Sequence, residues 1–119
     1  MNHKINQIIL AHSSNLSSKS ISEYLKGGGV KTYILDEQDY TDFTFLLEDL
    51  SPCVFMIDNE LYKAFKGLFN RQLEAYGHMK KIILYTQEVD DSIISWDVKI
   101  KIPFKMDELV KTLNDLMNK

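Results

Sequence analysis

The chain has 119 residues, 45% apolar and 26% charged, with a net charge of −3. That is one domain's length, sufficient to bury a core, and a mild acidity that argues against a nucleic-acid surface. Cys53 is the only cysteine, which excludes an intrachain disulfide and any multi-cysteine metal site; no apolar run reaches membrane-spanning length, and the short run after Met-Asn-His-Lys is no signal peptide. A cytoplasmic protein is the expectation.

In chain order, Ile8-Ile9-Leu10-Ala11 lies in a strand predicted over 5–11, which ends at His12-Ser13-Ser14. Ile21, Tyr24 and Leu25 have the i, i+3, i+4 spacing of a helix over 13–26, with Ser17 and Ser18 as candidate N-caps and Gly27-Gly28-Gly29 as its stop. A less buried strand over 30–35 follows, rich in β-branched and aromatic residues. The spacing of Phe43, Leu46, Leu47 and Leu50 predicts a second helix over 39–50.

Pro52-Cys53-Val54-Phe55-Met56-Ile57-Asp58 is an unbroken apolar run closed by a carboxylate, as expected of a strand covered on both faces. Leu61, Ala64, Phe65, Leu68 and Leu73 predict one long helix over 60–76, stopped at Gly77. A strand over 80–85 ends at Thr86. Residues 87–97 hold at best one or two helical turns. Alternating lysines at 99 and 101 give 98–102 an edge-strand pattern, broken by Pro103. Met106, Leu109, Val110, Leu113, Leu116 and Met117 stripe a last helix over 105–117.

Strand and helix alternate five times, which calls for a parallel sheet covered on both faces. The expectation is one three-layer α/β domain over 1–119, flavodoxin-like (βα)5, with strand order 2-1-3-4-5 and the helix between strands four and five shortened. In that order the ends of strands one and three meet at the switch point, which sets His12 and Ser13 beside Asp58.

Three motifs in this frame resemble the receiver domain of bacterial response regulators. Residues 52–58 are similar to the family's third strand, with Asp58 at the phosphoacceptor position. Ile82-Ile83-Leu84-Tyr85-Thr86 resembles its fourth strand, which ends in Thr or Ser. Pro103-Phe104 followed by Asp107-Glu108-Leu109 resembles the start of its last helix.

The departures are specific. Receivers end strand one in two acidic residues that hold Mg²⁺ with the phosphoacceptor; His12 and Ser13 stand there. A lysine precedes the proline in the family; Ile102 does here, and Lys101 takes its place only if a bulge shifts the register. Asn59-Glu60-Leu61 follow Asp58 in place of the family's Met-Pro and Gly. The segment between Thr86 and Pro103 is also short.

The resemblance and its departures imply a pseudo-receiver, a phosphorylation-independent protein–protein interaction or regulatory module in two-component-type signalling. It would be no enzyme, with no metal and no cofactor, a protein partner, a possible homodimer, and no contact with nucleic acid or membrane. Its degenerate pocket would comprise His12, Ser13, Thr86 and Lys101 around an unphosphorylated Asp58. The resemblance also allows it to be the N-terminal domain of a longer regulator.

Two alternatives stand beside it. One is a working receiver phosphorylated on Asp58. The other is a flavodoxin-like binder of a phosphorylated ligand at the hydroxyl-rich stretch 13–20. For His12 the choice is between a polar filler and a titrating switch or metal ligand; His3 and His78 are not positioned to complete a metal site.

Overall fold

The structure is a computed structural model that describes residues 7–50, 52–76 and 79–117. Five strands form one sheet: β1 (Gln7–Ala11), β2 (Lys31–Ile34), β3 (Val54–Asp58), β4 (Lys80–Tyr85) and β5 (Val98–Lys101). Every neighbouring pair is parallel, as the alternation of elements requires, and the order is β2-β1-β3-β4-β5, the common one expected. The helices are α1 (Asn15–Gly27), α2 (Thr44–Asp49), α3 (Asn59–Ala64), α4 (Lys66–Glu74) and α5 (Met106–Met117).

The central strand β3 is buried at all five positions. Its side chains alternate between two cores, because successive residues of a strand face opposite ways. Val54 and Met56 join Ile21 and Leu25 of α1 and Leu109 and Leu113 of α5. Phe55 and Ile57 join Leu47 of α2, Tyr62 of α3 and Phe69 of α4. Phe43 stacks on Phe55 with centroids 5.6 Å apart, which locks α2 to the sheet. The edge strands β2 and β5 alternate between half-buried and exposed, with Lys99 and Lys101 on the exposed positions.

Three local expectations are corrected. The N-cap of α1 is Ser14, not Ser17 or Ser18. Ser14 Oγ accepts the Ser17 N–H at 3.2 Å, while Ser18 lies buried in the first turn and donates its hydroxyl to the Ser14 carbonyl. The helix stops in the glycine run, where Gly29 takes φ +82°, a value that suits only glycine well.

The second helix is half its expected length. A 3-10 turn, Glu37–Asp39, precedes an irregular stretch, and α2 starts only at Thr44. The stripe Phe43, Leu46 and Leu47 is nonetheless buried as its spacing predicts. Gln72 of α4 explains the break. Its side chain accepts the Phe43 N–H at 2.6 Å and donates to the Tyr40 carbonyl at 2.8 Å, which satisfies backbone groups that a continuous helix would have paired internally.

The long helix over 60–76 is two helices, broken at Phe65 (φ −128°, ψ 36°). Phe65 leaves the helical path and packs edge-on against Tyr40, with centroids 5.4 Å apart. Gly77, the expected stop, lies outside the described residues, as do His3 and His78.

Between β4 and β5, where the sequence allows at best one or two helical turns, residues 86–97 contain no helix. Ile94 and Trp96 fill the core there instead, and Trp96 meets Tyr62 edge-on at 5.1 Å. Polar ties fix the segment: Lys66 pairs with Asp90, Lys99 with Asp91, and Asp97 accepts the Lys81 N–H.

Candidate functional site at the end of β3

The parallel register pairs Ala11 of β1 with Ile57 of β3. The next residues, His12 and Ser13, therefore emerge beside Asp58, at the place where open α/β sheets form crevices. Asp58 is only 4% exposed. It occupies the N-cap position of α3 but makes no side-chain cap bond. Both oxygens turn to Ser13. The Ser13 N–H donates to Oδ1 at 2.7 Å, and the Ser13 hydroxyl donates to Oδ2 at 2.7 Å.

His12 Nδ1 lies 3.8 Å from Asp58 Oδ1, inside ion-pair range for a protonated ring. The same nitrogen accepts the Ser14 N–H at 2.9 Å. An accepting ring nitrogen carries a lone pair rather than a proton, so the hydrogen bond is the interaction that defines this geometry. His12 thus meets Asp58 at 3.8 Å while its Nδ1 is held by the Ser14 N–H.

A cavity of about 220 Å³ opens over these groups. Thr86, just past β4, lines it with an exposed side chain. Lys101 does not reach it. The register of β5 on β4 runs without a bulge from Val98 to Lys101, Lys101 is exposed, and Ile102 lines the cavity in its stead. The chain thus brings together four of the five site residues read from the sequence and leaves Lys101 outside. Alternation along the strand decides which neighbour faces the crevice.

The sequence reading missed Asn59, Glu60 and Lys63, which also line the cavity. Their signal was available: in a helix that starts directly after the strand tip, positions 59, 60 and 63 share one face at i+3 and i+4 spacing. Asn59 donates its side-chain amide to the Glu88 carbonyl at 3.2 Å, tying α3 to the segment after β4, and its buried Oδ1 has no partner. The hydroxyl-rich stretch forms the start of α1, where the Ser14 and Ser18 side chains bond within the helix itself.

The resemblance to receiver domains implies Mg²⁺ beside the strand-three acid. Mg²⁺ demands a near-octahedral set of oxygens and usually one or two carboxylates. Here β1 offers an imidazole engaged with backbone and a hydroxyl engaged with Asp58. Among the described residues no three His, Cys, Asp or Glu side chains are grouped to hold a metal. The donor set does not fit the ion.

No family model matches the chain, and no curated protein matches it by sequence. Solved structures do match. A response regulator from Thermotoga maritima is 16% identical with a TM-score of 0.71, and the match covers 97% of this chain and 99% of that one. The signal receiver domain of an HD domain-containing protein from Pseudomonas fluorescens Pf-5 gives 13% and 0.76, covering 99% and 90%. A CheY-like receiver domain protein from Methanospirillum hungatei JF-1 gives 13% and 0.72, covering 96% and 94%. At these identities the likeness defines the fold: this chain has the CheY-like, flavodoxin-like receiver fold along essentially its whole described length.

Proposed function

We propose that the chain is a pseudo-receiver: a receiver-fold module that works through protein contacts in two-component-type signalling, without phosphorylation of Asp58. The observation that carries this reading is the double hydrogen bond from Ser13. A phosphoacceptor carboxylate must keep its electron density for attack and have cationic charge ready for the incoming phosphoryl group. Here each oxygen is already engaged at 2.7 Å by a donor, which withdraws electron density from the nucleophile. No lysine nitrogen pairs with Asp58 among the described residues, since Ile102 rather than Lys101 faces the cavity. Thr86 then has no phosphoryl group to read.

The reading needs no cofactor and no catalytic turnover, and it takes the partner to be a protein. The segment 86–97 sharpens the surface that such a partner would meet. Where receivers carry a helix, this chain presents a polar loop whose Asp90 and Asp91 are held by Lys66 and Lys99.

Beryllofluoride with millimolar Mg²⁺ tests the proposal, because it mimics an acyl phosphate only where the carboxylate and the metal act together. The amide resonances of Asp58 and Thr86 are expected not to move. A saturable shift of both overturns the reading and makes Asp58 a working phosphoacceptor.

A further inference from the structure

An ionised carboxylate has about four acceptor positions. Asp58 spends two of them on Ser13. No lysine or arginine nitrogen lies within ion-pair distance of it among the described residues. Lys63 lines the cavity but is exposed and makes no ion pair; Lys101 faces away; His12 Nδ1 is engaged by the Ser14 N–H. A buried charge without a counterion is costly and is normally paired. The cavity beside it is large enough for several heavy atoms, and Leu84 and Ile102 give it apolar walls next to the polar Thr86 and Gln87.

We propose that this cavity takes an alkylammonium group from outside the domain, its N⁺–H donors on the free positions of Asp58 and its methylene stem along Leu84 and Ile102. The chemistry follows from the shape of the site. Apolar walls suit a carbon stem that buries its length behind a charged head. A guanidinium pairs best with both carboxylate oxygens at once. Ser13 already bridges both, so a compact point charge fits the remaining space better. A lysine side chain of a protein partner and a free primary amine share this chemistry. The inference deepens the proposed interaction role and rests on it only in taking Asp58 to be unphosphorylated.

The test is an NMR titration of the ¹⁵N-labelled chain with n-butylammonium chloride. Saturable shifts at Ser13, Asn59 and Thr86 are expected. Tetramethylammonium, which has the charge but no N–H donor, is expected to give none. Asp58→Asn keeps an acceptor for the Ser13 N–H and is expected to weaken butylammonium binding about tenfold or more. Ile102→Lys sets an ammonium on the cavity wall, so it is expected to abolish butylammonium binding and raise Tm, with no rise when combined with Asp58→Asn.

A short peptide containing one lysine, compared with the same peptide acetylated on that lysine, separates the sources. Tighter binding of the unmodified peptide than of butylammonium identifies a protein side chain as the natural group; binding no tighter than butylammonium identifies a free amine. Non-saturable shifts, or equal binding by the Asp58→Asn variant, overturn the inference. That failure is distinct from a beryllofluoride response, which overturns the pseudo-receiver reading instead.

Discussion

Individual residues carry two different kinds of information here. Asp58, His12 and Ser13 were legible from sequence as neighbours, because the apolar runs before them fix where their strands end. The identity of the bond was not: only the folded backbone shows that Ser13 offers its N–H and its hydroxyl to the same carboxylate. Cys53 behaves as its apolar context predicts. It is buried with its Sγ 3.9 Å from Met79 Sδ, and burial pushes the thiol up from 9.0 to about 11. A group that holds its proton more tightly when folded stabilises fully below its unfolded value and loses that contribution as pH rises through its folded value. Stability therefore falls between about pH 9 and 11 as the unfolded thiol ionises and the folded one resists. Tyr40 and Tyr62, raised mainly by burial, add to the alkaline loss, whereas Lys81, lowered mainly by burial, opposes it. Urea unfolding of the protein and of Cys53→Ala across this range isolates the thiol. The variant's stability is expected to fall less steeply, and parallel curves would refute the assignment.

At the scale of elements, periodicity found the buried faces better than the ends. Phe43, Leu46 and Leu47 are buried as their spacing requires, yet the helix that carries them begins at Thr44. Likewise Leu61, Phe69 and Leu73 share a core although a break at Phe65 separates them. A hydrophobic stripe records which side chains must leave water. It does not record whether the backbone between them pairs with itself or with a side chain from elsewhere. Gln72 is that outside partner, 29 residues from Phe43 and 32 from Tyr40. Gln72→Ala leaves a buried N–H and a buried carbonyl unsatisfied, so a loss of about 2–4 kcal/mol is expected by chemical denaturation. A loss under about 0.5 kcal/mol, the range of an ordinary surface change, would show that the stretch between Tyr40 and Phe43 finds other partners.

At the scale of the whole molecule, one departure from the receiver pattern is compensated by another part of the chain. Residues 86–97 cover the α3 side of the sheet without a helix, and they do so by burying Ile94 and Trp96. Trp96 is 8% exposed, edge-on to Tyr62, and its indole N–H points to the Asp90 carbonyl at 3.5 Å. Trp96→Ala is expected to cost about 3 kcal/mol or more, the range for emptying a buried aromatic site. Far-UV circular dichroism is expected to change little, because the segment itself contains no helix. A large loss of helical signal below the unfolding transition would show instead that the loop organises α3 and α4.

The sequence by itself determined the layers, the parallel pairing and, with the common strand order, the position of the acid at the crevice. Short unbroken apolar runs alternating with helical stripes read as covered strands, and five βα units joined by right-handed crossovers leave few arrangements. Tertiary structure alone decided where α2 begins and how the carboxylate of Asp58 is bonded. Both depend on partners far apart in the chain: Gln72 for the backbone near Phe43, and Ser13 for the carboxylate of Asp58. Lys101 and Ile102 show the same division at its smallest. They are adjacent in sequence, and the unbroken register of β5 on β4 puts the isoleucine, not the lysine, at the cavity.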